Sequence, residues 1–339
     1  MLQHRQEGTP DMAESFSFEN ISDERIARQV LACVVPPEDE ITGDLLRKHS
    51  AVETIRLALS DEPLPRVDRA KTLLWRRRFD IADRDEIRES FIRGVEAGCG
   101  VLIPGDKDWP TVLSEVEPSP PYALWAKGDT SLLRLRTPGR IAFLGTDTPS
   151  EYGTWWASTV ADELSGEGLH VVAVGGKGIP ADAVQAALDG GGKPLVIAPH
   201  PLDAPDDELL PMYEAISEQG LLLSECPPGI APRRDAVEKS HRIATGISGT
   251  TLVVETSDDA APMAAARRAH AVGADVFAVP GDVRREHLGA NTLIAEQTAD
   301  LVSDAEDIFG IVHIKINIDL FGPERRPTER STARPVLSR

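Results

Sequence analysis

The chain has 339 residues, 41% hydrophobic and 27% charged, with a formal net charge of −19. That length suits two domains with a sizeable core, and the composition excludes a collagenous, disulfide-rich or wholly disordered protein. The acidity opposes indiscriminate binding of nucleic acid, which needs a surplus of Lys and Arg, but leaves room for a local basic pocket.

Residues 1–22 are polar and aperiodic and read as a disordered tail. The opening MLQHRQEGTPDMAE has no signal-peptide core, and no apolar run reaches bilayer length, so the expectation is a cytoplasmic chain without membrane contact. Cys33, Cys99 and Cys226 lack CxxC or Cys/His spacing, which points to a reducing compartment and away from a zinc site. Residues 23–98 carry apolar positions at helical spacing, with Ser22 as a candidate N-cap, and read as a small helical domain. In 99–139, five prolines break helices around two short apolar runs, 101–103 and 123–125; this is an entry segment to an α/β domain.

From 140 to about 310, strands are expected at 141–144, 169–174, 194–198, 221–224, 251–255, 276–279 and 300–302. Amphipathic helices such as 206–219 and 261–272 fall between them. The alternation predicts an α/β fold with a doubly wound, mainly parallel sheet. Ile314, Ile316 and Ile318 alternate with polar residues and suggest an edge strand. It opens the last stretch, 311–339, which otherwise reads as a disordered basic tail.

The 140–178 stretch is the most informative. Two expected strands end in glycine turns, Gly145-Thr146 and Gly175-Gly176-Lys177-Gly178. Glycine turns at the carboxyl ends of neighbouring parallel strands lie where ligands bind in open α/β sheets, and they let a phosphate approach backbone N–H groups. The first turn has a bland reading, a tight βα connection with Ser150 as N-cap, and Asp147 within it repels phosphate. It matches neither GxGxxG nor the Walker pattern. Lys177, framed by glycines, is better placed for an anion than an ordinary surface lysine. Downstream, Lys239, His241 and Arg242 cluster in PRRDAVEKSHRIATGIS, with Lys239 and Arg242 able to share a helix face; the bland alternative is a solvated charge run. A fourth element, Arg284, Arg285 and His287 leading to Asn291, offers a third wall for the same crevice or simply a surface loop capped by Asn. Glu225 and Glu255 follow apolar strands but are weak evidence for acid–base chemistry. Trp155 and Trp156 read as core packing, although either ring can stack on a base. No nucleophile or metal motif stands out, so no catalytic residue, metal or cofactor is expected.

The order of GDKDWPTVLSEVEPSPPYALWAKGD, the GTxxPSEYG turn, GKGI, AISEQGLLLSECPPGIAPR, HRIATGIS, LVVET, FAVPG with GANTLI, and ADLV resembles the DNA-processing protein A (DprA/Smf) family over roughly 24–309. The resemblance implies an extended Rossmann-like domain at 99–310 preceded by a helical SAM-like domain at 23–98. It also implies binding of single-stranded DNA, a homodimer, and loading of a RecA-type recombinase in transformation or recombination, without catalysis. Carried onto this chain, the single-stranded DNA contacts fall on Gly145, Thr146, Ser150, Gly175, Gly176, Lys177, Gly178, Lys239, His241, Arg242 and Asn291. The chain departs from the family pattern at Asp147 (usually Arg), Pro180 (usually Asp) and Val184 (often His), so the pocket is thinned. The alternative is a sensor or hydrolase of nucleotide derivatives from the lysine-decarboxylase-like Rossmann group, with Asp147 on a ribose hydroxyl.

Overall fold

The computed structural model of the chain describes residues 17–115, 119–134, 137–258, 260–282 and 288–321. Five helices come first: α1 (Glu24–Val34), α2 (Glu40–Leu46), α3 (Ala51–Leu59), α4 (Arg69–Asp80) and α5 (Arg84–Glu96). Each starts at a side chain that accepts a free backbone N–H of its first turn: Asp23, Asp39, Ser50, Asp68 and Asp83. The cap of α1 is thus Asp23, bonded to the Ile26 amide at 2.9 Å, and not Ser22. Leu31, Ile55, Trp75, Phe79 and Ile87 fill the space between these helices. Phe18 joins them, buried edge-on against Phe79, so the expected tail is corrected at 17–22; residues 1–16 lie outside the described residues.

The entry segment ties the helices to the sheet. Arg25 grips Asp106 with two hydrogen bonds of 2.6 and 2.7 Å, and the buried Tyr122 hydroxyl donates to the Pro36 carbonyl at 3.0 Å. The sheet has nine strands: β1 (Gly100–Leu102), β2 (Leu124–Gly128), β3 (Arg140–Leu144), β4 (His170–Val174), β5 (Leu195–Ala198), β6 (Leu221–Ser224), β7 (Thr250–Val253), β8 (Asp275–Ala278) and β9 (Asp300–Leu301). Their spatial order is β1-β2-β6-β5-β4-β3-β7-β8-β9, with β3 to β9 parallel to one another and β1 and β2 antiparallel to their neighbours. Strands such as RIAFL and LLLS are buried at every position because helices cover both faces.

On one face α6 (Glu151–Gly166), α7 (Ile179–Asp189), α8 (Leu210–Gln219) and α12 (Ala305–Phe321) pack through Trp156, Val184, Ile216 and Ile308 onto Phe143, Val171 and Val196. On the other, α9 (Ala236–Gly246) packs through Ile243 and Ile247 onto Val172 and Ile197, beside α10 (Ala261–Ala271) and α11 (Leu288–Ala295). The chain winds from β3 out to β6, then crosses to β7 on the far side of β3. The switch point therefore lies between β3 and β7, and ligands of open α/β sheets bind beyond the strand ends at such a point.

Two expectations shift. The helix expected at 206–219 begins at Leu210, with a proline in its first turn, where a missing N–H does no harm. The expected edge strand at Ile314, Ile316 and Ile318 is helix α12. Asp304 accepts the Asp307 amide at its start, and Ala305, Ile308 and Val312, all 0% exposed, form a stripe at helical spacing that outweighs the alternation of the isoleucines. Ile314 is 59% exposed. Val312→Asp is therefore expected to destabilise the chain by about 3 kcal/mol, by burying an unpaired charge, whereas Ile314→Asp stays within about 0.5 kcal/mol of wild type; urea unfolding of both checks this.

Candidate nucleic-acid interface

Six of the expected site residues lie at the carboxyl ends of β3 and β4, beside the switch point. Strand β3 delivers Gly145 and Thr146, and β4 delivers Gly175 to Gly178. The Thr146 carbonyl accepts the Ile179 amide at 3.0 Å, while the Thr146 amide donates to the Glu255 carbonyl just past β7 at 2.6 Å. Gly178 has φ +70°, and a Cβ there would stand 2.3 Å from the Thr146 carbonyl oxygen, so only glycine fits. The amides of Gly176, Lys177 and Gly178 have no hydrogen-bond partner among the described residues. They precede the N-terminus of α7, whose cap residue Gly178 has no side chain to offer. A run of free N–H groups at a helix N-terminus is an anion cradle.

The first turn is filled differently. Ser150 caps α6, accepting from the Gly153 amide at 3.2 Å, and its own hydroxyl donates to the Glu255 carboxylate at 2.9 Å. The Ser150 amide also points at that carboxylate, at 3.2 Å. Gly153 leaves space for it, since a Cβ would lie 2.2 Å from Glu255 Oε2. The chain's own carboxylate thus occupies the position at the α6 N-terminus where a bound anion was expected, with exposed Asp147 beside it. Asn291 lies inside α11 rather than capping it. It accepts from the Gly281 amide and donates to the Gly281 and Asp282 carbonyls at 2.9–3.1 Å, stitching down the loop after β8. Arg284, Arg285 and His287 lie outside the described residues.

The expected single cationic hollow is not formed. Lys177 stands at the end of β4, paired with Glu208 at 2.6 Å, both well exposed. Lys239 and Arg242 ride on α9, on the opposite face of the sheet. The Arg242 side chain is 0% exposed; its Nη2 bonds the Glu225 carboxylate at 2.7 and 3.0 Å and its Nε bonds Glu38 at 2.9 Å. Lys239 donates to the Pro37 carbonyl at 2.6 Å and lies 3.2 Å from Asp235 and 3.6 Å from Glu38. Glu38 also faces Arg268 at 3.7 Å and holds φ +65°, a strained value for a side chain of its size. Burial pushes the Glu225 carboxyl up, and the Arg242 guanidinium opposes that. This cluster fastens the loop after α1 to the sheet. It borders a cavity of about 240 Å³ lined in part by Cys33, Tyr122, Cys226 and Arg233. Burial raises the two thiols to about 12 and about 11, so neither is a reactive thiolate. His241 is buried too, and burial next to Arg268 lowers it to about 4.

Trp156 is buried, as expected, but Trp155 is 61% exposed. The signal was present in the sequence: adjacent helical residues point about 100° apart, so two neighbouring tryptophans do not both face one core. Glu38 gave no such signal, lying in the acidic run PPEDE.

A family described as DNA recombination-mediator protein A matches residues 100–313. The chain belongs to this family. Protein Smf of Synechocystis is 32% identical over 193 residues, covering 55% of this chain and 48% of that one. DprA of Bacillus subtilis is 30% identical over 216 residues, covering 63% and 71%. The chain thus spans about half the length of the Synechocystis relative. In fold it is similar to DprA of Streptococcus pneumoniae, with a TM-score of 0.67 at 24% identity over 86% of this chain and 98% of that one. DprA of Helicobacter pylori, whose structure is described by its single-stranded DNA binding mode, has a TM-score of 0.56 at 23% identity, over 65% and 96%. No helix among the described residues is long and apolar enough to cross a membrane.

The basic residues differ in what their removal should do. Arg242→Ala leaves Glu225 buried without its partner and is expected to cost about 3–5 kcal/mol in urea unfolding, whereas Lys177→Ala leaves the melting temperature unchanged. His241 stays neutral in the folded chain down to about pH 4, while the unfolded chain takes up a proton near 6.5. Its contribution is complete above pH 6.5 and is lost as pH falls from 6.5 to 4. Over that window wild type should lose about 3 kcal/mol relative to His241→Gln in pH-dependent denaturation.

Proposed function

We propose that this chain is a non-enzymatic recombination mediator that binds single-stranded DNA and passes it to a RecA-type recombinase, acting in the cytoplasm as a homodimer. The observation that carries the reading is the row of amides at Gly176, Lys177 and Gly178, without partners among the described residues and set past the end of β4, beside the switch point of the sheet. One phosphate seats on those amides, with Gly145 and Thr146 forming the neighbouring wall. Lys177 exchanges Glu208 for the phosphate, a small change because both partners are exposed and their pairing is weak in water. Lys239, His241 and Arg242 act from behind, holding the α9 side of the sheet. Family membership and the single-stranded DNA binding described for the Helicobacter pylori relative support this reading.

The adjacency of Asp147 to the amide row favours a second reading. A Cβ on Gly178 would lie 2.6 Å from the Asp147 Cα, so a ribose hydroxyl on Asp147 and a phosphate on the amides would fit one nucleotide. Anisotropy of a labelled oligo-dT at two salt concentrations separates the two. For the DNA reading, affinity falls with salt, and Lys177→Glu weakens binding several-fold and lowers the salt slope by ~0.7, because one phosphate is no longer neutralised. A salt-independent affinity untouched by Lys177→Glu, together with a thermal shift on mononucleotides, would reverse the choice.

A further inference from the structure

Trp155 is the exception among the five tryptophans of the chain. Trp75, Trp109, Trp125 and Trp156 are at most 5% exposed, whereas Trp155 is 61% exposed. Three residues before it, Tyr152 is 43% exposed, and the two rings lie on one face of α6 with centroids 6.4 Å apart and planes tilted by 32°. The Tyr152 hydroxyl reaches the Pro280 carbonyl, past the end of β8, at 3.4 Å. The pair therefore sits at the same strand-end edge as the amide row, on the β8 side of the Gly145 turn. An indole offers a larger flat face for stacking than any other side chain, and here that face stands at the strand-end edge.

We infer that Tyr152 and Trp155 form a base-stacking platform for the nucleotides next to the one whose phosphate seats on Gly176–Gly178. This rests on the single-stranded DNA reading above. Charge decides which part of a nucleotide the platform receives. Asp147 and Glu151 are exposed at this end of α6, and Glu255 already fills its N-terminus. Phosphates are repelled there, while the uncharged face of a base can still stack on an aromatic ring. The DNA backbone then follows the amides of the second turn and turns its bases onto the rings. A protein partner fits less well, because the described surroundings of the rings are polar: Thr148, Glu151, Thr154, Ser158 and Thr159 are exposed or half-exposed, with no contiguous apolar patch among the described residues.

The test compares oligo-dT with an abasic oligonucleotide of equal length, using the full chain. Wild type should prefer oligo-dT, and Trp155→Ala should weaken oligo-dT binding roughly tenfold, the scale of one stacked base, with little change on the abasic strand. Trp155→Phe should keep most of the affinity. Because the other indoles are buried, oligo-dT should quench tryptophan fluorescence in wild type but not in Trp155→Phe. Equal oligo-dT affinity in wild type and Trp155→Ala, or equal losses on both strands, overturns the platform and leaves the phosphate reading intact. Unchanged DNA binding with a shift in oligomeric state by sedimentation would assign the rings to a second copy of the chain. Failure of wild type to bind either strand would remove the DNA reading and the platform together.

Discussion

The backbone of a single residue, Thr146, holds the candidate site together. The carbonyl of Thr146 takes the amide that starts α7, and the amide of Thr146 gives to the Glu255 carbonyl just past β7. Strands β4, β3 and β7 are thereby joined at their tips across the point where the winding of the sheet reverses. The close approach leaves no room for a side chain at Gly178, and it leaves the three amides before α7 without internal partners among the described residues. In the proposed reading these amides, held by the sheet, meet the phosphate in place, so little ordering remains to be done on binding.

The acidity of the chain shapes everything around that edge. Its cations are answered by carboxylates: Lys177 by Glu208, Arg242 by Glu225 and Glu38, Lys239 by Asp235 and Glu38. These pairs differ in kind. The Lys177 pair stands in water and is readily exchanged, whereas the Arg242 pair is buried, where removing one partner strands the other. An exposed cation is open to exchange its partner, and a buried one fastens the loop after α1 to the sheet. Similar sequence features, a lysine among glycines and an arginine in a basic run, thus serve unlike ends.

Much of the architecture was legible from pattern alone. Strands buried on both faces announce themselves as continuous apolar runs, so β3 to β8 were located to within a residue or two, and the glycine turns followed from them. Errors fell where two periods competed or a local signal had several owners. The isoleucines after 313 alternate, yet the stripe through Ala305, Ile308 and Val312 makes a helix. Ser22 and Asp23 are both able caps, and only the chain's path selects Asp23.

By itself the sequence determined the α/β class, the strand order along the chain, the two glycine turns and the family, because periodicity and turn chemistry are local properties that survive without coordinates. Tertiary structure alone decided which charges are free. Glu38 lies 204 residues from Arg242 and Glu255 lies 105 from Ser150, so neither pairing leaves a trace in local pattern. Long-range electrostatics depends on distance in space, and the fold is what sets that distance.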